Sequence, residues 1–334
     1  MITPTRLSYG VLIATIALAG LLHLGVPLLV LLFSYFALRQ LYFLTKRKWL
    51  ALILFGVVVA GITAAAVYFT RTAILALPDV ADTSIPSASA WAQKRQIELP
   101  FTDFESLRQA VVDTLGQEAQ YLRNVANFAK SAAAAIVFSI LGIVAAGSLF
   151  YKTGLDPYRG THRLKNNLYS ICCDKVSTRF RDFYRSFATV MGAQITISLI
   201  NTALTGIFLV AVRLPHAPLL IAVTFLCGLV PIVGNLASNT VIVFVALTVS
   251  LKLAIVALVF LILIHKLEYL LNSKIIGDRI RNPVWLTLIA LILGERLMGI
   301  PGLILAPVVL NYLRVEMLTV EVPAPSEMVE ALNR

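Results

Sequence analysis

Trp49-Leu-Ala-Leu-Ile-Leu-Phe-Gly-Val-Val-Val-Ala-Gly-Ile-Thr-Ala-Ala-Ala-Val-Tyr-Phe-Thr70 runs for 22 residues without a charged side chain. A helix needs about 20 mostly apolar residues to cross the hydrocarbon core of a bilayer. A surface helix of a soluble domain would alternate an apolar stripe with a polar face. This stretch has no polar face. Nor does it alternate residue by residue, as a strand of a membrane barrel does. In lipid every backbone group must be satisfied internally, so the stretch reads as a spanning α-helix.

Working outward, the same reading recurs. Ser131–Tyr151, Val190–Val212 and Ala217–Ser250 carry no charge, and Leu7–Leu38 carries only His23 besides small polar residues. Leu253–Leu271 contains His265, Lys266 and Glu268, and Pro283–Leu313 contains Glu295 and Arg296. The 334 residues are 59% hydrophobic and 13% charged, with a mean hydropathy of +0.86. A soluble domain is about 45–50% apolar and about 25% charged, so much of this surface faces lipid. The expected architecture is all-α: a polytopic transmembrane helical bundle of about eight spans, with broken or re-entrant helices and one extracytoplasmic amphipathic helix.

The net charge of +11 would suggest nucleic acid in a soluble protein. Here the cations gather in loops between apolar blocks, which fits the positive-inside rule; no nucleic-acid partner is expected. Arg39, Lys46, Arg47 and Lys48 form one cluster, residues 152–187 a second, and Lys274, Arg279 and Arg281 a third. These three are expected in the cytoplasm of a bacterial inner-membrane protein. The order is then 1–70 (N-terminal spans), 71–130 (extracytoplasmic insert), 131–151 (a span), 152–187 (basic cytoplasmic segment), 188–315 (transport region) and 316–334 (cytoplasmic tail). Leu7–Leu38, interrupted by His23, Gly25 and Pro27, fits a helical hairpin or a strongly kinked helix. Pro78–Pro100 is expected to be loop. Thr102-Asp-Phe-Glu105 resembles a capping box, and Phe104, Leu107, Val111, Leu115, Leu122, Val125 and Ala129 follow at helical spacing. The three cysteines show no metal-ligand spacing, and neither metal nor cofactor is expected.

Three C-terminal stretches resemble the autoinducer-2 exporter family of bacterial transporters. They are Leu229-Val-Pro-Ile-Val-Gly234, Leu267-Glu-Tyr-Leu-Leu-Asn-Ser-Lys-Ile-Ile-Gly277, and Asn282-Pro283 followed by Gly294-Glu-Arg-Leu-Met-Gly-Ile-Pro-Gly-Leu-Ile-Leu-Ala-Pro307. Gly192-Ala-Gln194 and the order of blocks along the chain also fit. The resemblance implies an inner-membrane transporter. Members of that family have been linked to export of a small signalling molecule and to sodium or lithium/proton antiport.

Charged groups among apolar helices are costly and so mark candidate sites. Glu268 is the first, as a protonatable or cation-binding carboxylate that could equally pair with Lys266 or Lys274. His265 is a proton relay or a structural hydrogen-bond partner. Glu295 and Arg296 either line a water-filled cavity or surface as ordinary solvated groups. Gln194, Ser198, Asn201 and Thr202 share a helix face that either lines a path or bonds to neighbouring helices. Pro231, Gly234, Asn235 and Asn239 mark one helix break, and Gly299, Pro301 and Gly302 another. Such breaks expose backbone groups to substrates in transporters, or are plain turns between helices.

The leading expectation is a secondary transporter of a small solute or monovalent cation, without a phosphate-binding loop and in a homo-oligomer. A passive channel or facilitator is the alternative. A membrane enzyme ranks lower, because neither His-Glu-x-x-His nor Gly-x-Ser-x-Gly occurs. A non-transporting scaffold or regulator would act through the 71–130 insert.

Overall fold

A computed structural model describes residues 4–22, 24–93, 118–151, 156, 167–231, 233–275 and 283–319. Their regular structure is entirely helical: α1 (Pro4–Leu21), α2 (Gly25–Thr45), α3 (Lys48–Gln93), α4 (Glu118–Tyr151), α5 (Leu168–Ala211), α6 (Ala217–Gly228), α7 (Val233–Val249), α8 (Leu251–Ile275), α9 (Val284–Met298) and α10 (Ile300–Leu318). Gly25–Thr45, Lys48–Thr72, Lys130–Tyr151, Leu168–Ala211 and Ile300–Leu318 are long and apolar enough to cross a membrane. The protein is a polytopic helical membrane protein. Its large exposed hydrophobic side chains, such as Val57, Ile136, Ile207 and Leu263, are lipid-facing groups of that bundle.

One sequence expectation needs correction, and two helices run past the apolar blocks that announce them. Pro78–Pro100 is not loop throughout, because α3 continues through Pro78 and Pro86 to Gln93. A proline removes one backbone donor, and the alanine-rich flanks favour helix on either side. The expected span 131–151 coincides with Lys130–Tyr151, and the helix that carries it, α4, starts earlier, at Glu118. The proposed capping box at Thr102–Glu105 lies outside the described residues. Within the basic segment 152–187 a helix begins that runs on into the next apolar block. Leu168 to Ala211 is one helix of 44 residues, opened by Asn167, whose side-chain oxygen accepts from the Ser170 backbone N–H at 2.8 Å. Lysines and arginines are good helix formers, so a charged helix leaves the membrane without breaking.

The interrupted blocks divide where glycine and proline punctuate them. Leu7–Leu38 becomes α1 and α2, separate helices that pack chiefly on different neighbours: α1 on α5, α2 on α4 and α3. Ala217–Ser250 becomes α6 and α7, broken between Gly228 and Val233. Pro283–Leu313 becomes a helical hairpin, α9 and α10, turning at Gly299, whose φ of 65° and ψ of −141° suit glycine. Within that hairpin the helices touch backbone to backbone: a Cβ on Gly294 or on Gly302 would collide with the other's carbonyl oxygen.

Two buried clusters set the levels of these elements along α5. Phe183, Phe187, Val190 and Met191 of α5 pack with Ile304, Leu305, Val308 and Tyr312 of α10 and with Leu29 and Leu32 of α2. Farther along, Leu209 packs with Leu220 of α6, Ile242, Val245 and Ala246 of α7, and Ala254, Ala257 and Leu261 of α8. The open ends of the α6–α7 pair therefore lie at the C-terminal end of α5. The open ends of the α9–α10 hairpin lie at its basic end, where Glu316 meets Arg179. The two pairs enter from opposite ends. Val230, in the α6–α7 turn, packs against the first cluster, and Pro301 and Met298 at the α9–α10 turn crowd Gly25 at the start of α2. With 12 residues, α6 is about 18 Å long, too short for a hydrocarbon core of about 30 Å.

Candidate functional site

The polar face of α5 is built against the α6–α7 break. Helix ends leave carbonyls without intrahelical donors, which inside a membrane must find partners. Gln194 donates its Nε2–H to the carbonyl of Gly228 at 2.7 Å, and Ser198 donates its hydroxyl to the carbonyl of Phe225 at 2.9 Å. The broken end of α6 is thus clamped by two side chains one turn apart on α5. Gly228 has no side chain because a Cβ would run into Ser198. Gly234, across the break, sits so close to Cys227 that a Cβ would strike its carbonyl oxygen.

One turn farther along α5, Asn201 reaches a carboxylate. Glu268 of α8 is 8% exposed, Asn201 4% and Asn235 8%. The Asn201 and Asn235 side chains and His265 lie close enough to the Glu268 carboxylate to act on its charge. His265 Nδ1 stands 3.6 Å from Glu268 Oε2, while its own side chain is 67% exposed. Three helices, α5, α7 and α8, therefore bring one acidic and two amide side chains to a buried point beside a helix break. Asn201 Oδ1 is buried without a hydrogen-bond partner, and Thr202 Oγ1 next along the helix is too.

The other sequence candidates separate from this point. Lys266 is exposed rather than turned toward Glu268. Pro231 lies in the α6–α7 turn, and Asn239 is half-buried one turn beyond Asn235 on α7. Gly299, Pro301 and Gly302 form the α9–α10 turn, with Pro301 within the first turn of α10. Glu295 and Arg296, on α9 just before that turn, are exposed and have no ion-pair partner among the described residues.

A second polar cluster has no counterpart in the sequence reading. At the basic end of α5, Arg179 pairs with Glu316 of α10, and the Tyr9 hydroxyl of α1 donates to the same carboxylate at 2.7 Å. The guanidinium also lies 4.2 Å from the centre of the Tyr9 ring. Arg179 and Glu316 side chains are only 17% and 13% exposed. Neither residue shows a local signal, because the partners are 137 positions apart in the chain. Asn311 of α10 is also buried, with an unpartnered Oδ1, and stands alone in its apolar run.

A curated relative supports reading this architecture as a permease. The chain is 27% identical over 187 residues to YdbI of Bacillus subtilis (strain 168), a protein assigned to transport; the match covers 55% of this chain and 51% of YdbI, about half the length of each. Residues 7–319, nearly the whole chain and every helix described above, match the AI-2E family transporter description, and the chain belongs to that family.

Proposed function

We propose that this membrane transporter is a secondary transporter of the bacterial inner membrane. It exports a small solute or a monovalent cation in exchange for protons, and Glu268 is the coupling group. The observation that carries this reading is the convergence of Asn201, Asn235 and Glu268 from three helices beside the α6–α7 break. A carboxylate out of water favours binding a proton or a cation over standing bare. The two amides can donate to it in its ionised form, and the free Asn201 oxygen offers a neutral ligand to a small cation. The neighbouring break adds the backbone groups that transporters use for the same purpose. The exposed edge of His265 connects the carboxylate to the outside of the bundle and suits a proton relay.

The test is proton movement in vesicles carrying the full chain when sodium or lithium is added. Wild type should give a cation-driven proton signal. Glu268→Gln should abolish it, and Asn201→Ala should leave a weaker signal that needs more cation. A signal unchanged in Glu268→Gln would remove Glu268 from coupling. Solute flux that persists without any ion gradient would favour the passive facilitator instead.

A further inference from the structure

The C-terminal half of α2 and the middle of α5 enclose a cleft of about 490 Å³ on the face of the bundle. Phe36, Arg39 and Phe43 line it from one face of α2, Lys46 from the end of that helix, and Tyr184 and Arg185 from α5. Three cations therefore meet in one concavity. The Arg39 guanidinium lies 5.6 Å from the centre of the Tyr184 ring, and the Lys46 ammonium 4.0 Å from that of Phe43. These contacts hold the cations in place but leave their N–H groups free for an anion. Arg185 meets Asp182 at 3.3 Å, yet its side chain is 70% exposed. Arg39 and Lys46 have no acidic partner among the described residues. Lys46 is also the left-handed C-cap of α2, at the negative end of the helix dipole, where a cation is favoured.

The level of the cleft identifies what would fill it. Arg39 directly follows the uncharged run that ends at Leu38, and Arg185 shortly precedes the uncharged run from Val190 to Val212. Beside the cleft, Lys48 donates to the carbonyl of Tyr151 at 3.3 Å, tying the start of α3 to the end of α4. Trp49 and Tyr151 there are 58% and 67% exposed. Exposed tryptophan and tyrosine at the ends of apolar helices mark the membrane–water interface. Two independent features, the charge boundary and the aromatic belt, thus put the cleft at the depth of lipid headgroups.

We propose that this cleft binds the headgroup of an anionic phospholipid. Arg39, Lys46 and Arg185 face its phosphate, and Phe36, on the membrane side of Arg39, faces the start of its acyl chains. A soluble phosphate would meet the same cations but gain nothing from the aromatic walls. The proposal is independent of the coupling role of Glu268.

The test is native mass spectrometry of the full chain in a neutral detergent, titrated with phosphatidylglycerol or with phosphatidylcholine of the same chains. Each basic residue near an anionic surface is worth about fivefold in affinity. Phosphatidylglycerol should bind at least about tenfold more tightly than phosphatidylcholine. The Arg39→Gln/Lys46→Gln/Arg185→Gln variant should lose that preference. Lys175→Gln/Arg181→Gln/Lys252→Gln, which removes the same charge from exposed positions elsewhere, should keep it. Should the first triple variant misfold, Lys46→Gln alone decides, with an expected loss of about fivefold. The proposal is overturned if both lipids bind alike, if the two triple variants behave alike, if Lys46→Gln binds as wild type does, or if millimolar sodium phosphate displaces phosphatidylglycerol.

Discussion

Gly234 and Gly56 both sit in apolar helices, and their surroundings predict opposite responses to a methyl group. At Gly234 an added Cβ would strike the backbone carbonyl of Cys227, an atom that cannot step aside without moving α6. At Gly56 nothing lies within 4 Å. Gly234→Ala should therefore destabilise the protein by about 1–3 kcal/mol, the range for overpacking a close contact. Gly56→Ala should be neutral or stabilising by up to about 1 kcal/mol, because alanine is the better helix former. Gly299→Ala should cost about 1–3 kcal/mol for backbone strain alone, since its Cβ would meet open space but its φ of 65° is unfavourable for a side chain. Thermal unfolding of the three variants in detergent ranks them; equal midpoints for Gly234→Ala and Gly56→Ala would mean the α6–α7 break is looser than described. Single residues were also the most legible scale of the sequence. Glu268, Asn201, Asn235 and Gly234 each stand out as polar or small residues in apolar runs. Their meeting was not legible, because nothing local tells which face of α5 turns toward α7 and α8.

Among elements, the polar face of α5 and its basic end make separate predictions. Gln194→Leu leaves the Gly228 carbonyl without its donor, in a membrane interior where water cannot replace it. The expected cost is about 1–3 kcal/mol, the range for a buried group left unsatisfied. Limited proteolysis and thermal unfolding should both detect the loosened α6–α7 turn, and Gln194→Glu, which offers a donor only when protonated, should recover stability as pH falls. Arg179→Ala leaves Glu316 mostly buried and short of its cation. Breaking a buried pair from one side costs about 3–5 kcal/mol, whereas Arg179→Met with Glu316→Leu should cost less than either single change. A thermal-unfolding double-mutant cycle measures the difference. Element boundaries were read least well, for a physical reason. Apolar runs report where lipid begins and ends, while α3, α4 and α5 are set by backbone hydrogen bonding, which ignores that border. The start of α5 does carry a local cue: Asn167, whose side chain caps the Ser170 N–H, is a residue type preferred at helix starts. Gly228/Gly234 and Gly299, by contrast, punctuate apolar runs with no change of polarity, so both breaks were readable.

At the scale of the molecule, α6–α7 and α9–α10 enter from opposite ends, and the α6–α7 turn abuts the stretch of α5 that carries Gln194 and Ser198. Such an arrangement needs the two ends of α5 to lie on opposite sides of the membrane. The basic end carries Lys175, Arg179, Arg181 and Arg185, whereas the far end has only Arg213 near the turn into α6. The positive-inside rule predicts Lys175 in the cytoplasm and Arg213 outside. Single cysteines at these positions, in a chain with Cys172, Cys173 and Cys227 replaced by serine, test the assignment directly. A membrane-impermeant thiol reagent should label Arg213→Cys in intact cells and Lys175→Cys only after the membrane is opened. The reverse pattern would invert the orientation and put the Arg39–Lys46–Arg185 cleft in the outer leaflet. Labelling of both in intact cells would mean that α5 does not span. The same pair of variants bears on coupling: with Arg213 outside, Glu268 lies toward the cytoplasmic end of α8, 17 residues or about 26 Å from its start at Leu251. Counted inward from Arg213, α5 presents Asn201 before Ser198 and Gln194, so a proton or cation arriving from outside meets the carboxylate first and the clamped α6–α7 turn lies between it and the cytoplasm; substitutions that loosen that turn, Gln194→Leu first among them, should raise uncoupled proton leak in the vesicle assay while Gly56→Ala leaves it at the wild-type level.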